Sequence, residues 1–129
     1  MNIYAPNKVK VSALDTTKIL VNVFAGSEKS TVEMKIGNIT DWQPLNKVEV
    51  VDPECLRMHK LTPIFELKYN ENILEEILGW KMDKPHISYH MWEGKINSSL
   101  STGAHTIYVR TTDMYGQSYQ AYRIMYVEK

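Results

Sequence analysis

Residues 104–127, AHTIYVRTTDMYGQSYQAYRIMYV, carry the strongest structural signal in the chain. From Ala104 to Thr112, apolar and polar residues alternate in the way that is typical of a half-buried strand. Gln117 to Val127 predicts a second strand. Between them, Asp113 can accept backbone N–H groups at the start of a tight turn, and Gly116 can take the left-handed conformation at its end. The stretch therefore predicts a β-hairpin.

Further strands are predicted upstream of this hairpin by the same reasoning. Ile19 to Phe24 is nearly continuous and β-branched, which indicates a strand that is covered on both faces. Pro44 places another strand at an edge or a bulge. About seven strands at regular spacing predict an all-β, immunoglobulin-like β-sandwich that forms one domain over residues 1–129. The five upstream strands are predicted over residues Lys8–Ala13, Ile19–Phe24, Thr31–Ile36, Trp42–Val51 and Ile87–Glu93.

The segment from Glu54 to Pro85 interrupts the strand pattern, and we expect it to be irregular apart from one short helix. It follows the dipeptide Asp52-Pro53, which we interpret as a break in the regular secondary structure. Within it, apolar residues at helical spacing predict a short helix over Asn72–Leu78, with an Asn as N-cap and Gly79 as the stop. We expect this insertion to cover one end or edge of the sheets.

Composition bounds the possible functions. The chain has 129 residues, 43% of them hydrophobic, and 15 basic residues balance 15 acidic ones. A zero net charge argues against nucleic acid as the main partner, since phosphate binding needs a clustered positive field. No apolar run approaches the roughly 18 residues of a membrane span. The N-terminus lacks the pattern of a secretory signal, so the signal of an exported parent protein would lie elsewhere.

No residue set in the sequence predicts catalysis or metal binding. His86 and His90 lie four residues apart on a predicted strand, where they could contribute to a zinc site, but a third ligand with close spacing is missing. The single cysteine, Cys55, has no glycine-rich flank typical of a nucleophile. We therefore expect no catalytic residue, no metal ligand and no cofactor in this chain.

Large aromatic residues offer a second kind of site. Such rings stack on sugars or pack against a partner domain when they are exposed, although most of them are expected in the core. Tyr119 has the opposite parity from Tyr122 and Tyr126, so one face of the last strand is a plausible contact surface. The candidate contact residues are Trp42, Trp92, Asp113, Tyr115 and Tyr119.

Blocks of residues that are spread along almost the whole chain form a recognisable order. The earlier blocks are Val21–Gly26, Val32-x-Met34-x-Ile36-Gly37, Trp42-x-Pro44-Leu45, Asp52-Pro53 and Ser88-x-His90-x-Trp92. The last block runs from Leu100 through Gly103 and His105 to Gln117. Together these blocks resemble the C-terminal domain of bacterial calcineurin-like phosphoesterases.

The resemblance implies a non-catalytic accessory domain that packs on or orients a phosphoesterase domain of the same parent chain. In that family the catalytic domain binds two divalent metal ions through motifs such as Asp-x-His and Gly-His-x-His, which this sequence lacks. The nearest fragment, Gly103-Ala104-His105-Thr106, has no second histidine.

The resemblance also implies export to the periplasm or cell surface of a bacterium. Glu54–Pro85 and the Asp113–Gly116 turn are the expected contact regions with the catalytic domain. The alternative function is a carbohydrate- or cell-surface-binding module that uses the exposed aromatic residues.

Overall fold

The computed structural model describes residues 1–68 and 85–129. The chain divides into two compact units. One combines Met1–Val48 with Tyr89–Lys129, and the other is Glu49–Ser88. The assignment of the whole chain to one domain stays a prediction.

Strands dominate the described residues. Their bounds are β1 Asn2–Tyr4, β2 Lys8–Lys10, β3 Lys18–Asn22, β4 Thr31–Ile36, β5 Gln43–Pro44, β6 Asn46–Val51, β7 Ile87–Lys95, β8 Gly103–Thr112 and β9 Ser118–Glu128. One sheet has the order β1-β3-β7-β6, and the other has the order β2-β9-β8-β4-β5. This two-sheet, mainly β architecture confirms the predicted β-sandwich, whereas its immunoglobulin type stays a prediction.

The predicted hairpin joins β8 to β9 in the five-stranded sheet. The Asp113 carboxylate accepts the backbone N–H groups of Tyr115 and Gln117, each at 2.9 Å. Gly116 takes a φ of 81°, in the left-handed region that favours glycine. The turn fixes a register in which Tyr108 lies opposite Tyr122 and His105 lies opposite Met125. Because successive strand residues point to opposite faces, this register decides which side chains enter the core.

Side chains from both sheets form one buried cluster. The four-stranded sheet contributes Ile19, Val21 and Trp92, and Ile107 and Met125 are among those from the five-stranded sheet. Burying each large aliphatic side chain contributes about 1.5–3 kcal/mol relative to leaving it exposed. The cluster is therefore the main source of stability for the sandwich.

One polar side chain links the two sheets. Arg123 of β9 donates hydrogen bonds to the backbone oxygen of Ile3 at 2.8 Å and to the side-chain oxygen of Asn7 at 2.9 Å. Because Ile3 belongs to β1, this guanidinium connects β9 to a strand of the other sheet. Charge-assisted hydrogen bonds of this kind are stronger than neutral ones.

The N-terminal strand prediction over Lys8–Ala13 is wrong in its second half. Only Lys8–Lys10 pairs, in parallel with β9. Val11–Thr16 forms a 3-10 helix, which buries Leu14 completely and leaves Val11 exposed. The alternation of Val11 with its polar neighbours therefore does not correspond to a strand face.

The segment after β6 contains a helix that the sequence-based interpretation missed. This helix, α1, spans Pro53–Lys68, where we expected irregular chain. Asp52 is its N-cap, because the Asp52 carboxylate accepts the backbone N–H of Glu54 at 2.8 Å. The predicted helix over Asn72–Leu78 lies outside the described residues.

An ion pair lies in the first turn of α1. Arg57 binds the carboxylate of Glu54 through two nitrogens, at 2.6 and 3.0 Å. The hydrogen bond from Arg57 lowers the pKa of Glu54, and the same bond raises the pKa of Arg57. Both groups are exposed to solvent, so this pair contributes little to stability.

Candidate contact surface

The outward side of the five-stranded sheet carries large apolar, aromatic and cationic side chains. We call this side the open face, and we define it by the outward residues of β2, β4, β8 and β9 together with Trp42. Its centre is β9, where three consecutive outward residues are Tyr122, Ile124 and Tyr126, which are 69%, 58% and 47% exposed. Large apolar residues are therefore exposed along a central strand of the sheet.

The open face continues from β9 across β8. The rings of Tyr108 and Tyr122, which face each other in the register, have centroids 6.3 Å apart and are tilted by 47°. This geometry falls within the range that aromatic pairs prefer. The two rings form a continuous aromatic surface across the two strands.

Cations lie at the β4 side of this surface. The Lys35 ammonium is 5.1 Å from the centroid of the Trp42 ring and 5.4 Å from that of Tyr108. The Arg110 guanidinium lies 4.3 Å from the Trp42 centroid, and its Nε donates to the Glu33 carboxylate at 2.5 Å. Cation–π contacts of this kind hold charged side chains against aromatic rings. The Lys35 ammonium and the Arg110 guanidinium are therefore held against the aromatic rings of the open face.

A shallow polar cleft of about 330 Å³ lies beside this cluster, near the β8–β9 turn. Its polar groups include the carboxylate of Glu33, the guanidinium of Arg110 and the amide of Gln120. The residues that line it are Glu33, Arg110, Thr112, Ser118, Tyr119 and Gln120.

The five candidate contact residues predicted from the sequence occupy different environments. Trp92 is 3% exposed and belongs to the core, because its ring packs against Gly26 between the sheets. Trp92 is therefore not part of the candidate contact surface. Trp42 is half-buried over the open face, as described above. Asp113 is half-buried and holds the hairpin turn.

The two tyrosines of the set lie at the hairpin end of the sandwich. Tyr115 is 82% exposed in the turn itself. Tyr119 is exposed and has the opposite parity from Tyr122, as predicted, and its hydroxyl donates to the Gln117 side chain at 3.1 Å. Tyr119 also lines a second cleft of about 330 Å³ beside Phe24 and Ala121. The most apolar outward positions, on β9, were not among the predicted contact residues.

The residues considered for metal binding or nucleophilic catalysis do not form a site within residues 1–68 and 85–129. The Nδ1 atom of His90 lies 2.9 Å from the backbone oxygen of Gly26, so the loop after β3 engages this ring nitrogen. His86 and Cys55 are exposed. In those ranges, no group of three or more His, Cys, Asp or Glu side chains could hold a metal ion. No helix in the described part of the chain has the length and apolar character needed to cross a membrane.

A family model described as the C terminal of calcineurin-like phosphoesterase matches residues 1–119. The chain belongs to this family of phosphoesterase C-terminal domains. The match spans every strand from β1 to β8 and ends within β9 at Tyr119. No curated protein and no solved structure shows significant similarity to the chain.

Proposed function

We propose that this chain is a non-catalytic accessory domain that packs on, and orients, the catalytic domain of a calcineurin-like phosphoesterase. The observation that carries the proposal is the family match over residues 1–119. The β-sandwich agrees with such a role, because its two sheets share a buried core while three large apolar residues remain exposed along the outer side of β9.

The chemistry of the parent enzyme belongs to the partner domain in this proposal. The family implies two divalent metal ions bound there. Among the residues that the structure describes, no ligand set fits such a centre, and we assign no catalytic step to them. The accessory domain acts by holding the catalytic domain in position.

The proposal extends to location. We propose that the parent protein works in the periplasm or at the cell surface, as the family resemblance implies. Fractionation of the source cells, with an antibody against this chain, tests this part separately. Recovery of the chain in the cytoplasmic fraction would contradict it.

The direct test has a genetic arm and an enzymatic arm. We expect the gene that encodes this chain to encode a phosphoesterase domain with Asp-x-His and Gly-His-x-His motifs as well. We also expect the purified 129-residue chain to leave p-nitrophenyl phosphate and bis(p-nitrophenyl) phosphate unhydrolysed in the presence of Mn²⁺, Fe²⁺ or Zn²⁺. Metal-dependent turnover by the pure chain would overturn the non-catalytic role, and a gene without those motifs would overturn the partnership.

A carbohydrate- or cell-surface-binding module is the second candidate function. The observation that favours it is the polar cleft beside Trp42, where Glu33, Arg110 and Gln120 offer hydrogen-bonding groups next to an aromatic ring. Titration of the chain with a panel of glycans, followed by tryptophan fluorescence, tests it. We expect a fluorescence change for a cognate glycan, whereas no change at millimolar concentrations would count against this function.

A further inference from the structure

The outward residues of β9 depart from the usual composition of a solvent-facing sheet. An antiparallel sheet with one side in the core normally carries polar residues on its other side. β9 lies between β2 and β8, so it is a central strand, yet its middle three outward positions are Tyr122, Ile124 and Tyr126. Contiguous exposed apolar patches on soluble proteins mark interaction sites.

The size of the open face suits contact with another domain. The three long strands of this sheet, spaced about 4.8 Å apart, and its two short edge strands present a projected area of roughly 500 Å². Interfaces between domains of one chain bury about 600–1,500 Å² in total, or half of that on each side. The open face therefore provides the area that an inter-domain contact needs.

The charges of the open face indicate the chemistry of the partner surface. Cations outnumber carboxylates at its outward positions, although the chain as a whole is neutral. The cations are Lys8, Lys10, Lys35 and Arg110, and the carboxylates are Glu33 and Glu128. A complementary surface is apolar at its centre and acidic at its rim.

Two other occupants fit this face less well. A second copy of the chain, packed face to face, would oppose two surfaces that both carry an excess of cations, which is unfavourable. A saccharide stacks on a free aromatic face, whereas Arg110 lies 4.3 Å above the Trp42 ring and covers one of its faces. The aliphatic Ile124 at the centre of the face also favours a protein surface over a sugar.

We propose that the open face, centred on Tyr122 and Ile124, is the surface that binds the phosphoesterase domain, and that the bound surface of that domain is apolar with an acidic rim. This inference rests on the proposed function. It differs from the contact regions expected from the sequence, Glu54–Pro85 and the Asp113–Gly116 turn. The family match ends at Tyr119, so the centre of the open face lies beyond it.

The test measures binding of this chain to the separately purified phosphoesterase domain encoded with it, by isothermal titration calorimetry. The test variant combines Tyr122→Thr with Ile124→Thr, because threonine is polar and keeps a high strand propensity. The control is Tyr89→Thr on β7 of the other sheet, where Tyr89 is 62% exposed. We expect the double variant to raise the Kd at least tenfold and the control to change it less than twofold.

The remaining outcomes separate this inference from the proposed function. If the native chain binds and the double variant has a Kd within twofold of the native one, the open face is not the interface. The proposed function would still stand in that case. No binding by the native chain would overturn both. A native dimer that the double variant converts to a monomer, or a glycan whose binding the double variant abolishes, would assign the face to that occupant instead. If the double variant does not fold, the single variant Tyr122→Thr is measured by the same criteria.

Discussion

The two faces of the β8–β9 hairpin carry similar residues in opposite environments. On the inner face, Ile107 and Met125 are completely buried between the two sheets. On the outer face, Tyr122 and Ile124 are mostly exposed, although they belong to the same central strands. The inner residues stabilise this chain because they are buried, whereas the exposed outer residues gain no such burial. Burial within the chain therefore explains the large apolar residues on only one side of this sheet. Those on the other side are explained by contact with a partner.

The largest expected effect comes from removing side-chain volume on the inner face. We expect Ile107→Ala to lower the free energy of unfolding by about 3–4 kcal/mol, because it creates a cavity at a fully buried site. The matched change on the outer face, Ile124→Ala, is expected to cost less than about 1 kcal/mol, as is usual for exposed sites. Urea denaturation followed by circular dichroism measures both. Equal losses in the free energy of unfolding for the two variants would contradict the contrast between the inner and outer faces.

A second change tests how tightly the inner side is packed. A Cβ added at Gly26 would lie 2.5 Å from Cη2 of Trp92, so the buried ring must move. We expect Gly26→Ala to cost about 1–3 kcal/mol through overpacking. In a Trp92→Leu background, which removes the ring atoms but leaves the Val23 backbone oxygen 2.9 Å from the added Cβ, the same change is expected to cost less. A cost that is identical in both backgrounds would show that Trp92 is not the obstacle.

The turn that sets the register of the hairpin provides a third, smaller effect. Asp113→Ala removes the acceptor for two backbone N–H groups, and we expect a loss of about 1–2 kcal/mol in the free energy of unfolding. The control is Asp113→Asn, which keeps one side-chain oxygen in position and is expected to lose less than half as much. Urea denaturation compares the two variants. A loss of similar size in both would show that the negative charge, rather than the oxygen geometry, holds the turn.

The smallest effect is expected at the ion pair on the open face. Glu33→Gln removes the charge that pairs with Arg110, where both side chains are about one-third exposed. We expect a change below about 1 kcal/mol in stability, since solvent-accessible ion pairs contribute little. The effect should shrink further at high salt. A loss of several kcal/mol would mean that the open face also stabilises this chain, which would contradict the contrast between the two faces.

The strand β8 could be predicted from the sequence because its apolar and polar residues alternate from Ala104 to Thr112. The β8–β9 hairpin and its turn follow from this alternation together with Asp113 and Gly116. Alternation fails at Val11, because the chain turns into a 3-10 helix there and buries Leu14 instead. A period of two over a few residues does not distinguish a strand from such a turn.

The helix α1 shows a signal that was present and misread. Asp52-Pro53 was interpreted as a break, yet Asp is a favoured N-cap and Pro is favoured at the first helical position. The apolar residues Leu56 and Met58 in the first turns of the helix are exposed. Pro63 within the helix weakens the signal further.

The candidate contact surface could be predicted only in part. The sequence indicates that Tyr119 and Tyr122 lie on opposite faces of β9. It does not indicate which face the core takes, because large side chains occur at both parities. Trp92 was assigned to the surface for the same reason. Deciding which face of a strand lies in the core requires the position of the other sheet and, for Trp92, the position of Gly26. Only the structure provides these positions.

Hydroxyl-radical footprinting of the chain, alone and mixed with the phosphoesterase domain encoded with it, tests the central claim most directly. Mass spectrometry compares the oxidation rates of Tyr122 and Ile124 on the open face with that of Tyr89 on the other sheet. We predict that the domain slows oxidation of Tyr122 and Ile124 at least fivefold and leaves Tyr89 unchanged. Unchanged rates at Tyr122 and Ile124 in a mixture that forms a complex would contradict the claim that this domain binds through the open face.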